Sequence, residues 1–125
     1  MIACDTSSLA AFLAGDASAT DVVKVRTALA ADQLVLPPAT LAEALSNPKT
    51  QTTAEALIAD LHVLEIADGY WRRVAYSRAK LIAKGLKARL ADALIAQSCI
   101  DADIQLVTRD ADFRHFAKHC GLKLA

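Results

Sequence analysis

The chain has 125 residues, 54% hydrophobic and 22% charged, which suits one folded domain with an apolar core and excludes a long disordered segment. Its 14 basic and 14 acidic residues cancel, so overall charge names no polyanionic partner and only the local distribution can. No apolar run is long enough to cross a bilayer and the first residues lack the order of a signal peptide, so the expected location is the cytoplasm, with no membrane partner.

The first element is an apolar strand over residues 1–4, stopped by Asp5-Thr6-Ser7-Ser8, a cluster that caps the helix expected as far as Leu13. A second helix spans 20–31, with Val22, Val23, Val25, Ala28 and Leu29 at helical spacing. Leu34-Val35-Leu36 is a buried strand closed by Pro37-Pro38, and residues 39–45 are helical. Asn47-Pro48 marks a turn; a helix over 52–61 and a strand over 62–66 follow. Gly69 opens a long helix that stops near Gly85, and another helix covers 90–101. The fourth strand is 105–108, the last helix 111–119, and residues 122–124 form a possible fifth strand after Gly121. Cys4, Cys99 and Cys120 are odd in number and far apart, with no CxxC pair, which reads as buried reduced thiols.

Short apolar strands alternating with helices define an α/β fold: a central parallel sheet of four or five strands flanked by helices on both faces, in one domain over 1–125. In that layout helix N-termini and ligands gather at the carboxyl edge of the strands. Asp5 follows the first strand, Glu43 lies early in the helix after the second, Asp92 opens the helix before the fourth, and Asp110 and Asp112 follow the fourth. Singly, each has a local explanation: Asp5 and Asp110 suit helix caps, Thr40 to Glu43 makes a capping box, and Asp92 suits a helix dipole. Together they crowd one crevice, where each pair repels by up to about 4 kcal/mol at 4 Å for an effective dielectric near 20. A bound divalent cation removes that cost, and oxygen-only ligation suits Mg2+ or Mn2+ rather than zinc. Such a site supports phosphodiester hydrolysis without a covalent nucleophile. Thr6, Ser7 and Thr108 stand where hydroxyls can hydrogen-bond the acids or serve ordinary turns.

These segments resemble the motifs of PIN domains. Met1-Ile2-Ala3-Cys4-Asp5-Thr6-Ser7 resembles the opening strand and acid, and Ala42-Glu43 the second acidic motif. Leu90-Ala91-Asp92-Ala93-Leu94-Ile95-Ala96 resembles the third, and Leu106-Val107-Thr108-Arg109-Asp110-Ala111-Asp112-Phe113 the fourth. Order, spacing and length agree over essentially the whole chain, and the small size resembles the VapC group of toxins. The resemblance implies metal-coordinating roles for Asp5, Glu43, Asp92 and Asp110, with Asp112 as the alternative to Asp110 in the last motif. It also implies RNA cleavage, a homodimer, and neutralisation by a cognate antitoxin that inserts a segment at the acidic groove. One departure is Pro37-Pro38 ahead of the Glu43 helix, which bears on how far Glu43 reaches.

Between Asp68 and Asp92 there is no acid, whereas Arg72, Arg73, Arg78, Lys80, Lys84, Lys87 and Arg89 supply half of the basic residues. A neutral protein can present such a basic lane beside an acidic pocket, and Lys84, Lys87 and Arg89 are its expected RNA contacts, with Arg109 on the other side. Tyr70, Trp71 and Tyr76 are interleaved and either stack on bases or turn to the core or a second copy, the reading favoured for Trp71. His115 and His119, four apart, read as a solvated pair rather than a zinc site, since no third ligand is apparent. A receiver domain would need an acid after the third strand and a distal lysine in place, and a DxD phosphatase fails because position 7 is Ser. A non-catalytic module with this fold is the remaining alternative; its mark would be a missing acid, and all are present. No phosphate-binding glycine loop, GxGxxG or GxSxG occurs.

Overall fold

The computed structural model describes residues 1–125. Its elements, in chain order, are β1 (Ile2–Cys4), α1 (Thr6–Leu13), α2 (Thr20–Ala30), β2 (Leu34–Leu36), α3 (Pro38–Leu45), α4 (Gln51–Ile58), β3 (His62–Val63), α5 (Tyr70–Ala83), α6 (Leu90–Ala102), β4 (Gln105–Val107) and α7 (Phe113–Cys120). The four strands form one parallel sheet in the order β3-β2-β1-β4. Ala3 pairs with Val35 on one side and with Leu106 on the other, which fixes the register about β1. The chain thus adds strands in one direction from β1 and then returns to its other side, making the β1/β4 boundary a topological switch point.

Side-chain alternation along these short strands divides the core. Ala3, Val35 and Leu106 face a cluster under α5, α6 and α7 that includes Val74, Leu81, Ile95, Phe113 and Phe116. Cys4, Leu34, Leu36 and Val107 face the opposite cluster with Leu9, Val25, Ala54 and Ile58. Every strand residue that matters to the core is apolar on both faces, as expected for strands covered from both sides. Cys4 and Cys99 are buried free thiols and Cys120 is a half-buried one; burial pushes the Cys99 thiol up to about 12, so it stays protonated.

Several boundaries differ from the sequence reading, each for a local reason. The third strand is shorter: Leu64 N still donates to Leu36 O at 2.9 Å, but Glu65 and Ile66 are exposed beyond the sheet edge. The helix α4 ends at Ile58 because Leu61 N turns back to Ile58 O at 3.0 Å. The possible fifth strand is a single parallel bridge, Leu124 to Leu106, held by Leu106 N to Lys123 O and Ala125 N to Leu106 O, both 2.9 Å. The glycine at 121 ends α7 with φ of +85°, a backbone that L side chains rarely adopt.

Candidate metal centre

Asp5 leaves β1 into the first turn of α1, where it is both cap and cleft residue. It is 3% exposed, and three donors hold its carboxylate: Ser7 Oγ at 2.8 Å, Ser8 N at 3.0 Å and Thr108 Oγ1 at 2.7 Å. Thr108 Oγ1 in turn accepts from Asp110 N at 3.0 Å, and Asp110 Oδ1 accepts from Asp112 N at 2.9 Å. This aspartate turn delays the last helix to Phe113, two residues later than the sequence pattern indicates. The Thr108 hydroxyl therefore ties the ends of β1 and β4 together, while Ser7 bonds Asp5 within the turn that opens α1.

The capping box expected at Thr40 and Glu43 does not form. Pro38 takes the first helical position and Pro37 the cap, so Thr40 already lies inside α3. Fully buried, it donates from Oγ1 to Cys4 O at 3.1 Å. That bond seats α3 on the end of β1, and Glu43 accepts from Thr6 Oγ1. The proline pair thus leaves Glu43 within reach of Asp5's neighbour. Thr40 is the positioning residue that sequence reasoning missed; a Thr in an apolar helix face just after a strand is the signal that was there to read.

Asp92 stands in the first turn of α6. The loop that delivers it is pinned by Arg78, whose Nε donates to Ala88 O at 2.7 Å. Asp5, Glu43, Asp92 and Asp110 line one cleft of about 290 Å³ with Thr6, Ser7 and Arg89. Carboxylate oxygens of Asp92, Asp110 and Asp112 lie within 4.8 Å of one another. Asp112 also meets Lys87 Nζ at 3.4 Å, whereas Asp110 faces the cleft. Burial, then the charge of Asp110, push the Asp92 carboxyl up to about 6; Asp112 and Asp5 add to the rise and Arg89 opposes it. Carboxylates held in mutual repulsion with no sulfur or imidazole among them fit a hard divalent cation.

The remaining sequence candidates divide. Arg89 lines the cleft and Lys87 sits beside it on Asp112. Lys84 caps α5, farther along the surface. Arg109 turns elsewhere: its guanidinium is held by Asp21 at 2.8 Å and Asp16 at 3.3 Å, and Asp21 also accepts from Ser8 Oγ at 2.8 Å. This pairing holds the Asp21 carboxyl below its ordinary range and gives Arg109 a role in joining the β4 end to α2. Tyr70 is buried and donates to Leu94 O at 2.7 Å, while Trp71 is 64% exposed, so of its expected placements the core is excluded. No helix is long and apolar enough to cross a membrane.

Fold and cleft together define an α/β domain with a cation-ready acidic pocket at the switch point of its sheet. The chain belongs to the PIN domain family, whose model matches residues 2–119. No curated protein matches the sequence. Among solved structures, it resembles a chain of VapBC2 from Rickettsia felis bound to a DNA fragment from their promoter, at 19% identity and TM-score 0.76, over 100% of this chain and 98% of that one. A chain of VapBC-5 from Mycobacterium tuberculosis, a member of the VapBC family of toxin–antitoxin systems, matches at 23% identity and TM-score 0.70, covering 98% and 95%. A chain of DNA-bound VapBC from Salmonella typhimurium matches at 17% identity and TM-score 0.72, covering 100% and 98%. At these identities the likeness is one of fold.

Proposed function

We propose that this chain is a metal-dependent endoribonuclease, the toxin of a toxin–antitoxin pair of the VapC type. The observation that carries the reading is the convergence of Asp5, Glu43, Asp92 and Asp110, from four separate elements, on one cleft. Membership of the PIN family and the likeness to chains of toxin–antitoxin complexes support it. In this reading Asp5, Glu43, Asp92 and Asp110 would hold Mg2+ or Mn2+, with Asp112, whose carboxylate lies within 4.8 Å of those of Asp92 and Asp110, as the alternative to Asp110. A divalent ion in such a site lowers the pKa of water and neutralises charge on the attacked phosphate. Ser7 and Thr108 keep both oxygens of Asp5 oriented, Thr6 does so for Glu43, and Arg89 offers a guanidinium to a phosphate oxygen.

A second hollow of about 350 Å³ adjoins the cleft, shares Thr6 and Glu43 with it, and is walled by Ala10, Leu13 and Ala14. Its apolar wall and acidic end suit an antitoxin segment that lays an apolar side chain beside a basic one, blocking the cleft. A homodimer is assigned to the exposed strip of Trp71, Ile82 and Leu90, between 52% and 64% exposed, along the α5–α6 groove.

The test is cleavage of a structured-RNA pool by purified protein with Mg2+ or Mn2+, with chelator, and by Asp92→Asn and Asp5→Asn. Discrete products are expected that need the metal and fall more than a hundredfold in either variant. Metal-independent cleavage, or full cleavage by Asp92→Asn, would overturn the mechanism. Folded, metal-binding protein that cuts no RNA would favour a binding module.

A further inference from the structure

We propose that the paired surfaces of α5 and α7 form a cationic lane for the phosphates of single-stranded RNA leading away from the cleft. The inference rests on the nuclease reading for the identity of its ligand. The two helices run in opposite senses: Lys87, just past α5, meets Asp112 at 3.4 Å, and Lys80, deeper in α5, donates to His119 O at 2.8 Å. Along α7, positions 112, 115 and 119 share one face, so the lane starts at the acidic cluster and runs outward. From Asp112 to His119 the helical rise is about 10 Å, room for about two or three phosphates of an extended strand.

Beyond Lys87, the cations of this lane have no carboxylate partner. Every ion pair in the protein uses Arg73, Lys87, Arg109 or Lys123, so Lys80, Lys84 and Lys118 meet no carboxylate. Desolvation, and then the basic groups of Lys84, Lys118, Lys80 and His115, hold the His119 imidazole below its ordinary value. In a chain of zero formal net charge, such a concentration stands out against Arg73 and Arg109, which are neutralised by Asp101 and by Asp21 with Asp16. A polyanion relieves the repulsion and releases its own counterions. Tyr76, 65% exposed, lies one turn before Lys80 in the row 76, 80, 84, where a base can stack as the strand leaves the lane. Continuity with the acidic cleft selects RNA over an acidic protein.

The experiment measures binding of a labelled 12-nucleotide single-stranded RNA, in chelator, across a salt series. It compares the wild type with the triple variant Lys80→Gln, Lys84→Gln, Lys118→Gln, in which polar stems keep the surface contacts. The variant is expected to melt like the wild type, bind roughly tenfold or more weakly, and lose about 2 from the slope of log K against log salt, three phosphate contacts at about 0.7 each. Tyr76→Ala is expected to lower affinity with the slope unchanged. An unchanged slope and affinity in the triple variant overturn the lane. Competition by polyglutamate as effective as by RNA at equal charge overturns the assignment to RNA in favour of an acidic protein. Because binding is read without metal, a wild type that binds through the lane but never cuts overturns the nuclease reading and leaves the lane standing.

Discussion

Asp92 shows how one carboxylate of the cleft can oppose folding. Its value near 6 lies above the ordinary 3.8, so the native state holds this proton more tightly than the unfolded chain does. Charging it therefore costs stability: nothing below about pH 4, increasingly up to about pH 6, and in full above that. In metal-free protein, Asp92→Asn is expected to be more stable than wild type at about pH 7.5, by on the order of 1 kcal/mol once solvent screens the partly exposed group, and no more stable at about pH 4. Thermal melts at the two pH values check this. With saturating Mn2+ the order is expected to reverse, because binding to the native state raises stability by about 2.7 kcal/mol at a hundredfold excess over Kd. A variant no more stable than wild type at high pH would show that the acids do not strain the empty cleft.

At the scale of elements, the cleft depends on how α3 and α6 are seated. The Thr40 hydroxyl is the only side-chain hydrogen bond from α3 to the end of β1, and it is fully buried. Thr40→Val keeps the shape and removes that bond, at an expected cost of about 1 kcal/mol in denaturant unfolding. Because α3 carries Glu43, Mn2+ affinity measured by calorimetry is expected to fall severalfold as well. Lost stability with unchanged affinity would separate the seating of α3 from the site. On the other face, Arg78 holds the loop before α6 through Ala88 O, and Arg73 pairs with Asp101 in the body of α6. Two of the basic residues in the acid-free stretch are thus committed to placing α6, which no count of charges along the chain distinguishes from those left free.

For the whole molecule, the apolar strip on α5 and α6 and the cationic lane on α5 and α7 lie on different sides of one helix. Ile82 lines the first and Lys80 and Lys84 the second. A second copy on the apolar strip leaves the lane open, so dimer formation and RNA binding are expected to be separable. Ile82→Glu is expected to halve the mass seen in sedimentation while its RNA affinity per protomer changes less than threefold. An unchanged mass would place the dimer surface elsewhere.

Much of the molecule was legible from the chain alone. Short apolar strands between periodic helices specified a parallel α/β sheet, because strands covered on both faces need continuous apolar runs and parallel pairing needs helical crossovers. The same alternation sent Asp5, Glu43, Asp92 and Asp110 to one edge of the sheet, since each follows a strand or opens a helix there. What only the tertiary structure decided was partnership. Arg109 and Lys84 look alike as basic residues near acidic motifs, yet the fold gives Arg109 the carboxylates of Asp21 and Asp16 and leaves Lys84 among cations. Thr40 looks like a cap, and Pro37-Pro38 moves the helix start so that its hydroxyl serves β1 instead. Periodicity is set by the local backbone and can be read from neighbours in sequence; the pairing of a charge or a hydroxyl depends on groups tens of residues away, which only packing brings within hydrogen-bond distance.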